Sequence, residues 1–151
     1  MTASQRLIDL GIVLPAVVPP TAAYVPAKRA GNLLFTSGQM PYEDGRLQTV
    51  GKLGGEVDPL RGQELARACA LNALAVIDKE IGIDSVVDVV KVTGFVASAE
   101  GFTGQPAVIN GASTLLEKVF GDAGKHARSA IGMAELPMGA PVELEVIVAF
   151  A

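Results

Sequence analysis

The stretch Lys125–Phe150 carries the side chains best suited to act together on a small molecule. Arg128 offers a planar guanidinium whose fork of N–H donors matches a carboxylate. Glu143 offers a carboxylate that can take a proton and return it. The stretch reads as two strands joined by a turn. In the second strand Val142, Leu144, Val146, Val148 and Phe150 fall on one face, and Glu143, Glu145, Ile147 and Ala149 on the other. The first strand runs from about Ala127 to Ala134. The link Glu135–Pro141 has two prolines and a glycine and cannot continue a central ladder. Pairing of the two strands is expected to bring Arg128 and Glu143 near one site. There a fixed guanidinium and a nearby carboxylate would hold an anionic small molecule and move a proton beside it.

Each residue also has a plain reading, which spacing alone favours. Arg128 by itself is a surface or interface salt-bridge residue, and Glu143 and Glu145 are the wet face of an edge strand. His126 is the only histidine. Nothing near it in sequence forms a nucleophile–base pair, so a strand-edge place suits it better than a general base. Thr36-Ser37-Gly38-Gln39 can offer backbone N–H groups to an anion, and is equally an ordinary strand end. No G-x-S-x-G elbow, P-loop or G-x-G-x-x-G turn is present.

Composition narrows the classes further. The chain has 151 residues, enough for one domain with a full core, residues 1–151. Only 19% are charged, below the roughly 25% of a typical soluble domain. A surface short of charge points to cover by partner subunits. The net charge of −4 and the scattered Lys and Arg argue against a nucleic-acid partner. A single cysteine, Cys69, excludes an internal disulfide; among alanines in a helical pattern it reads as core. One His and one Cys exclude zinc bound by the usual nitrogen and sulfur ligands. No apolar run reaches spanning length, and Asp9 lies too early for a signal-peptide core, so the expected location is cytoplasmic, away from membranes.

The elements that must position these side chains follow in order. Thr2–Leu10 reads as a short helix capped by Thr2 or Ser4, and residues up to Pro20 as a proline-stiffened arm. Ala22–Arg29 and Asn32–Ser37 flank the turn Ala30-Gly31 and read as a hairpin. Asp58-Pro59 opens a long alanine-rich helix that Gly82 ends. Val86–Ser98 is a valine-rich strand with a bulge or bend expected at Gly94. Gln105–Phe120 is a second helix, weakened by Gly111. The order β-β-α-β-α-β-β predicts an α+β fold, a mixed sheet with two long helices on one face.

Two blocks of residues resemble a known family. Gly31-Asn-Leu-Leu-Phe-Thr-Ser-Gly-Gln-Met-Pro41 is similar to the G-x-x-x-[FV]-[TV]-S-G-Q-x-P block of the Rid/YjgF-type reactive-intermediate deaminases, also called endoribonuclease L-PSP or translation-inhibitor proteins. Ala127-Arg-Ser-Ala130, Ala134-Glu-Leu-Pro137 and Val142-Glu-Leu-Glu145 resemble that family's A-R-S-C…A-x-L-P…V-E-x-E end. The resemblance spans residues 22–150. It implies a chorismate-mutase-like fold assembled as a homotrimer, with sites in clefts between subunits. It implies hydrolysis of enamine and imine intermediates to a 2-keto acid and ammonia, the 2-iminobutanoate/2-iminopropanoate type of deamination, with no metal and no organic cofactor.

Carried over by position, Arg128 resembles the arginine that grips the substrate carboxylate. Glu143 matches the acid that positions water and shuttles its proton. Tyr24 matches the aromatic lining the cleft, Gly38 a backbone contact, and Asn110 a polar residue at the cleft rim. Ala130 stands where the commonest members have cysteine, leaving its backbone N–H to meet the ligand. Pro26 stands where glutamine is usual. The resemblance ranks a deaminase first and a non-catalytic trimer binding a small carboxylate metabolite second. A ribonuclease or translation inhibitor ranks last, because an acidic chain without tryptophan offers neither phosphate attraction nor much base stacking.

Overall fold

Capping and alternation fix where the elements begin. The Asp58 side chain accepts a hydrogen bond from the Arg61 N–H at 3.0 Å, and Pro59 fills the first turn. Helix α2 therefore starts at Pro59 and runs to Ile81, where Gly82 turns the chain out at positive φ. The computed structural model describes all 151 residues. Besides α2 it contains helices α1 (Ala3–Asp9) and α3 (Gln105–Phe120). The strands are β1 (Ala27–Ala30), β2 (Leu33–Thr36), β3 (Val86–Ala97), β4 (Ala127–Met133) and β5 (Val142–Phe150). Thr2 caps α1. The first strand begins five residues later than expected, leaving Tyr24 in the bend before it.

The five strands form one mixed sheet in the order β1-β2-β5-β3-β4. This corrects the expected pairing of the last two strands. β4 runs parallel to β3, joined to it through α3, while β5 inserts antiparallel between β2 and β3. Parallel neighbours need a crossover, and α3 supplies one; the proline-rich link after β4 then carries the chain back across the sheet. The fold class is the α+β one expected.

The core lies between the sheet and the two long helices. Val142, Leu144, Val146 and Val148 of β5 are buried on the helix side, as their alternation predicts. They meet α2 along its alanine-rich face, which includes Ala66, Cys69, Ala70 and Ala73. Small side chains let α2 and α3 approach closely. At Gly111 an added Cβ would stand 2.1 Å from the Gln63 carbonyl oxygen, so that glycine is a helix-crossing point and not a mere weakness. Gly94 is likewise no bulge. It pairs in register with Ala130 and Leu144, and the irregularities lie nearer the start of β3, around Val86–Lys91. Its missing side chain admits Ile109, whose Cδ1 would lie 2.4 Å from a Cβ there.

No helix covers the other face of the sheet. It carries Phe35 at 39% and Ile131 at 41% exposure. No helix in the chain is long and apolar enough to cross a membrane.

Candidate functional site

The residues singled out from sequence fall into two groups within one chain. The first surrounds Glu143. On β5 its neighbours Val142 and Leu144 point to the helices, so Glu143 points to the open face, opposite Phe95 of β3. Gly38 follows β2 and is held beside it by the bridge between Gln39 and Leu144. The contact is tight: a Cβ at position 38 would lie 2.2 Å from the Glu143 Oε1 and would displace the carboxylate. Burial, and then the negative charge of Glu145, raises the Glu143 pKa above its ordinary value. A carboxylate shielded on one side and facing outward on the other is suited to proton exchange.

Tyr24 and Gly38 line a small recess with Ser37, Gln39 and the proline-rich arm at Pro19 and Pro20. Its far wall is fixed from below, since Asn72 of α2 donates hydrogen bonds to the carbonyls of Met40 and Tyr42, both at 3.1 Å. Beneath Glu143 lies Cys69, fully buried, its thiol pKa pushed well up by burial and secondarily by the Glu143 charge. It is a core residue, as its place among alanines predicted.

The second group surrounds Arg128. On β4 it stands beside Val92, on the helix side of the sheet. Its Nη1 donates to the Asn110 Oδ1 at 2.7 Å and to the Ser113 Oγ at 3.2 Å, both on α3. Asn110 and Ser113 are three apart and share a helix face. These side chains, with Thr114, Glu117, Lys125 and His126, line a recess of about 380 Å³ without a hydrophobic residue in its wall. Ala130 lies two residues on from Arg128 but packs against the core.

Two sequence-based expectations change here. Arg128 and Glu143 do not meet across a strand pair, because β3 lies between their strands and their side chains leave opposite faces. The register puts their Cα atoms roughly 14 Å apart, taking about 4.8 Å per strand and 3.3 Å per residue. His126, set aside as a strand-edge residue, has a hydroxyl partner after all: its Nε2 lies 2.9 Å from the Ser113 Oγ. Thirteen residues separate the two in sequence, so only the packing of α3 against the start of β4 reveals the pair. The one available signal was that Ser113 lies one turn beyond Asn110. Elsewhere no three His, Cys, Asp or Glu side chains gather as metal ligands.

The chain resembles known proteins along most of its length. Residues 16–150 match the family model described as endoribonuclease L-PSP. Protein TCP17 of Trypanosoma cruzi is 44% identical over 147 residues, 96% of this chain and 92% of its own. A RutC family protein of Haemophilus influenzae is 34% identical, covering 88% of each chain. Among solved structures, the Agrobacterium tumefaciens protein Atu1372 superposes with a TM-score of 0.92 at 42% identity, covering 99% of this chain and 92% of that one. Escherichia coli TdcF, solved with bound serine, superposes with a TM-score of 0.64 at 25% identity, over 92% and 96%. The match over residues 16–150 and the relatives' identity along most of the chain show that the chain is a member of the endoribonuclease L-PSP family, the Rid/YjgF proteins.

Proposed function

We propose that the protein hydrolyses small reactive imines or enamines bearing a carboxylate, at a site completed by two copies of the chain. The observation that carries this reading is the division of the site. Arg128 and Asn110 stand at one edge of the sheet, on the helix side; Glu143, Gly38 and Tyr24 stand away from that edge, with Glu143 on the open face. Neither group alone both grips a carboxylate and supplies a base. A second copy laid against the open face brings its Arg128 group to the Glu143 group of the first. The exposed Phe35 and Ile131 on that face, and the low charge content, support a closed assembly, a homotrimer.

In this reading Arg128 holds the ligand carboxylate and Glu143 accepts a proton from water attacking the iminium carbon. The C–N bond then breaks, and the proton returns to the departing ammonia. A 2-keto acid and ammonia leave. The raised pKa of Glu143 suits a group that takes a proton and gives it back. Serine bound to TdcF shows that a family member accepts a small amino acid, which carries the same carboxylate. Two features favour the alternative of a non-catalytic binder: Ala130 offers no thiol, and its side chain packs into the core.

The test is direct. A dehydratase generates 2-aminoacrylate in the cuvette, and release of keto acid is followed with and without the protein. Acceleration by the wild type is expected. Glu143→Gln should lower turnover by about 10²- to 10⁴-fold and leave carboxylate binding in place. Tight binding of a keto acid with no acceleration in the wild type would decide for the binder.

A further inference from the structure

The recess around Arg128 contains a hydrogen-bonded relay, and its direction can be read. The Gly124 carbonyl lies 2.7 Å from the His126 Nδ1. A carbonyl only accepts, so Nδ1 carries the proton, and in the neutral ring Nε2 presents a lone pair. The Ser113 hydroxyl, 2.9 Å away, therefore donates to Nε2. That leaves the Ser113 oxygen facing Arg128 as an acceptor, and the Arg128 Nη1 donates to it at 3.2 Å. The same Nη1 also donates to the Asn110 Oδ1 at 2.7 Å.

Nη1 thereby serves two acceptors within the chain. A guanidinium has five N–H donors in a fixed plane, and a carboxylate can meet it end-on, through both Nη atoms, or side-on, through Nε and Nη2. Here the end-on fork is closed and the side-on edge is free. We propose that Ser113 and His126 are positioning residues that lock Arg128 so that a ligand carboxylate binds side-on, at Nε and Nη2. This rests on the reading of Arg128 as the carboxylate grip and adds two residues to it. A role for Ser113 as a nucleophile fits less well. It lies mid-helix, where backbone N–H groups are taken within α3.

Two measurements test the proposal. The first needs no ligand. In side-chain nitrogen NMR spectra the wild-type Arg128 should show slowed rotation of its Nη1 group. Ser113→Ala and His126→Asn should restore averaging. His126→Asn keeps a donor for Gly124 but loses the acceptor for Ser113. His126→Gln can supply that acceptor and Ser113→Thr keeps the hydroxyl, so both should behave nearly as the wild type. An averaged Arg128 in the wild type, or no change in Ser113→Ala, overturns the proposal.

The second is titration with 2-oxobutanoate. Ser113→Ala and His126→Asn should bind it about three- to tenfold more weakly, the worth of one hydrogen bond. In the imine assay the loss should fall on KM, with kcat little changed. Wild-type binding matched by Ser113→Ala refutes the relay alone. Wild-type and Arg128→Ala proteins with equal affinity refute the carboxylate grip itself. Labelling of Ser113 by a fluorophosphonate would assign it a nucleophile's role and overturn the positioning one.

Discussion

Gly38→Ala separates the proposed chemistry of the Glu143 site from the stability of the fold. The backbone at Gly38 is not in the left-handed region, so alanine is conformationally acceptable there. Only space forbids it. The new Cβ would stand 2.2 Å from the Glu143 Oε1 and 3.0 Å from its Cδ. To regain an ordinary contact the carboxylate must move by roughly 1 Å. It can do so, because it is the end of a flexible side chain, at about 0.5–1.5 kcal/mol for an off-rotamer torsion. The loss is partly offset by about 0.4–1 kcal/mol gained from a less flexible unfolded chain. Net stability should thus change by less than about 1 kcal/mol, or about 2–4 °C in Tm for a domain of this size. Catalysis should respond far more. A group misplaced by about 1 Å can lose about 10²-fold in rate. The assay is keto-acid release from 2-aminoacrylate, beside a thermal melt of the same sample. A Gly38→Ala protein with wild-type turnover would show that the position of the Glu143 carboxylate does not matter, and Glu143 would lose its proposed role.

Three further outcomes follow from the packing and the charges. The raised Glu143 pKa means that the folded protein holds this proton more tightly than the unfolded chain, so wild-type stability falls as pH rises from the ordinary carboxylate value through the raised one. Glu143→Gln should therefore melt higher than the wild type above that window and converge with it below; a lower Tm at neutral pH would contradict this. Gly111→Ala gains about 1 kcal/mol of helix propensity but sets a Cβ 2.1 Å from a backbone oxygen that cannot swing aside. Overpacking at about 1–3 kcal/mol or more should win, and Tm should fall; a rise would refute the close helix crossing. Cys69 is fully buried and its thiol pKa is pushed up, so a bulky disulfide reagent should not label the native protein, and rapid labelling would show the core open to solvent.

Much of this fold was legible because local signals are decisive where they occur. Asp58-Pro59 and Gly82 bracket α2 to the residue, and the alternation of β5 assigns its buried face. Alternation says which way a side chain points and nothing about which strand lies beside it. The expected neighbourhood of Arg128 and Glu143 failed for that reason, while the faces assigned to β5 held. The Gly94 bulge failed similarly. A glycine in a strand marks either an irregular backbone or a near neighbour, and only the position of Ile109 decides between them. Ser113 and His126 were out of reach because each looks ordinary in its own element, and their meeting depends on how far α3 runs before the chain turns into β4.

The placement of β5 bears on how the chain is made. β5 is synthesised after every other strand, yet it occupies the middle of the sheet, bonded to β2 on one side and β3 on the other. Until it leaves the ribosome, no strand joins the β1–β2 hairpin to β3 and β4 within the sheet, and α2, packed on α3 and touching β1 and β2, is what links them. Leu34 and Val92 then lack the valines of β5 that complete their layer. The nascent sheet must wait in two parts with apolar strand edges open to strangers. The sheet is completed last by β5, so a mutation within β5 strikes the keystone as well as the Glu143 site.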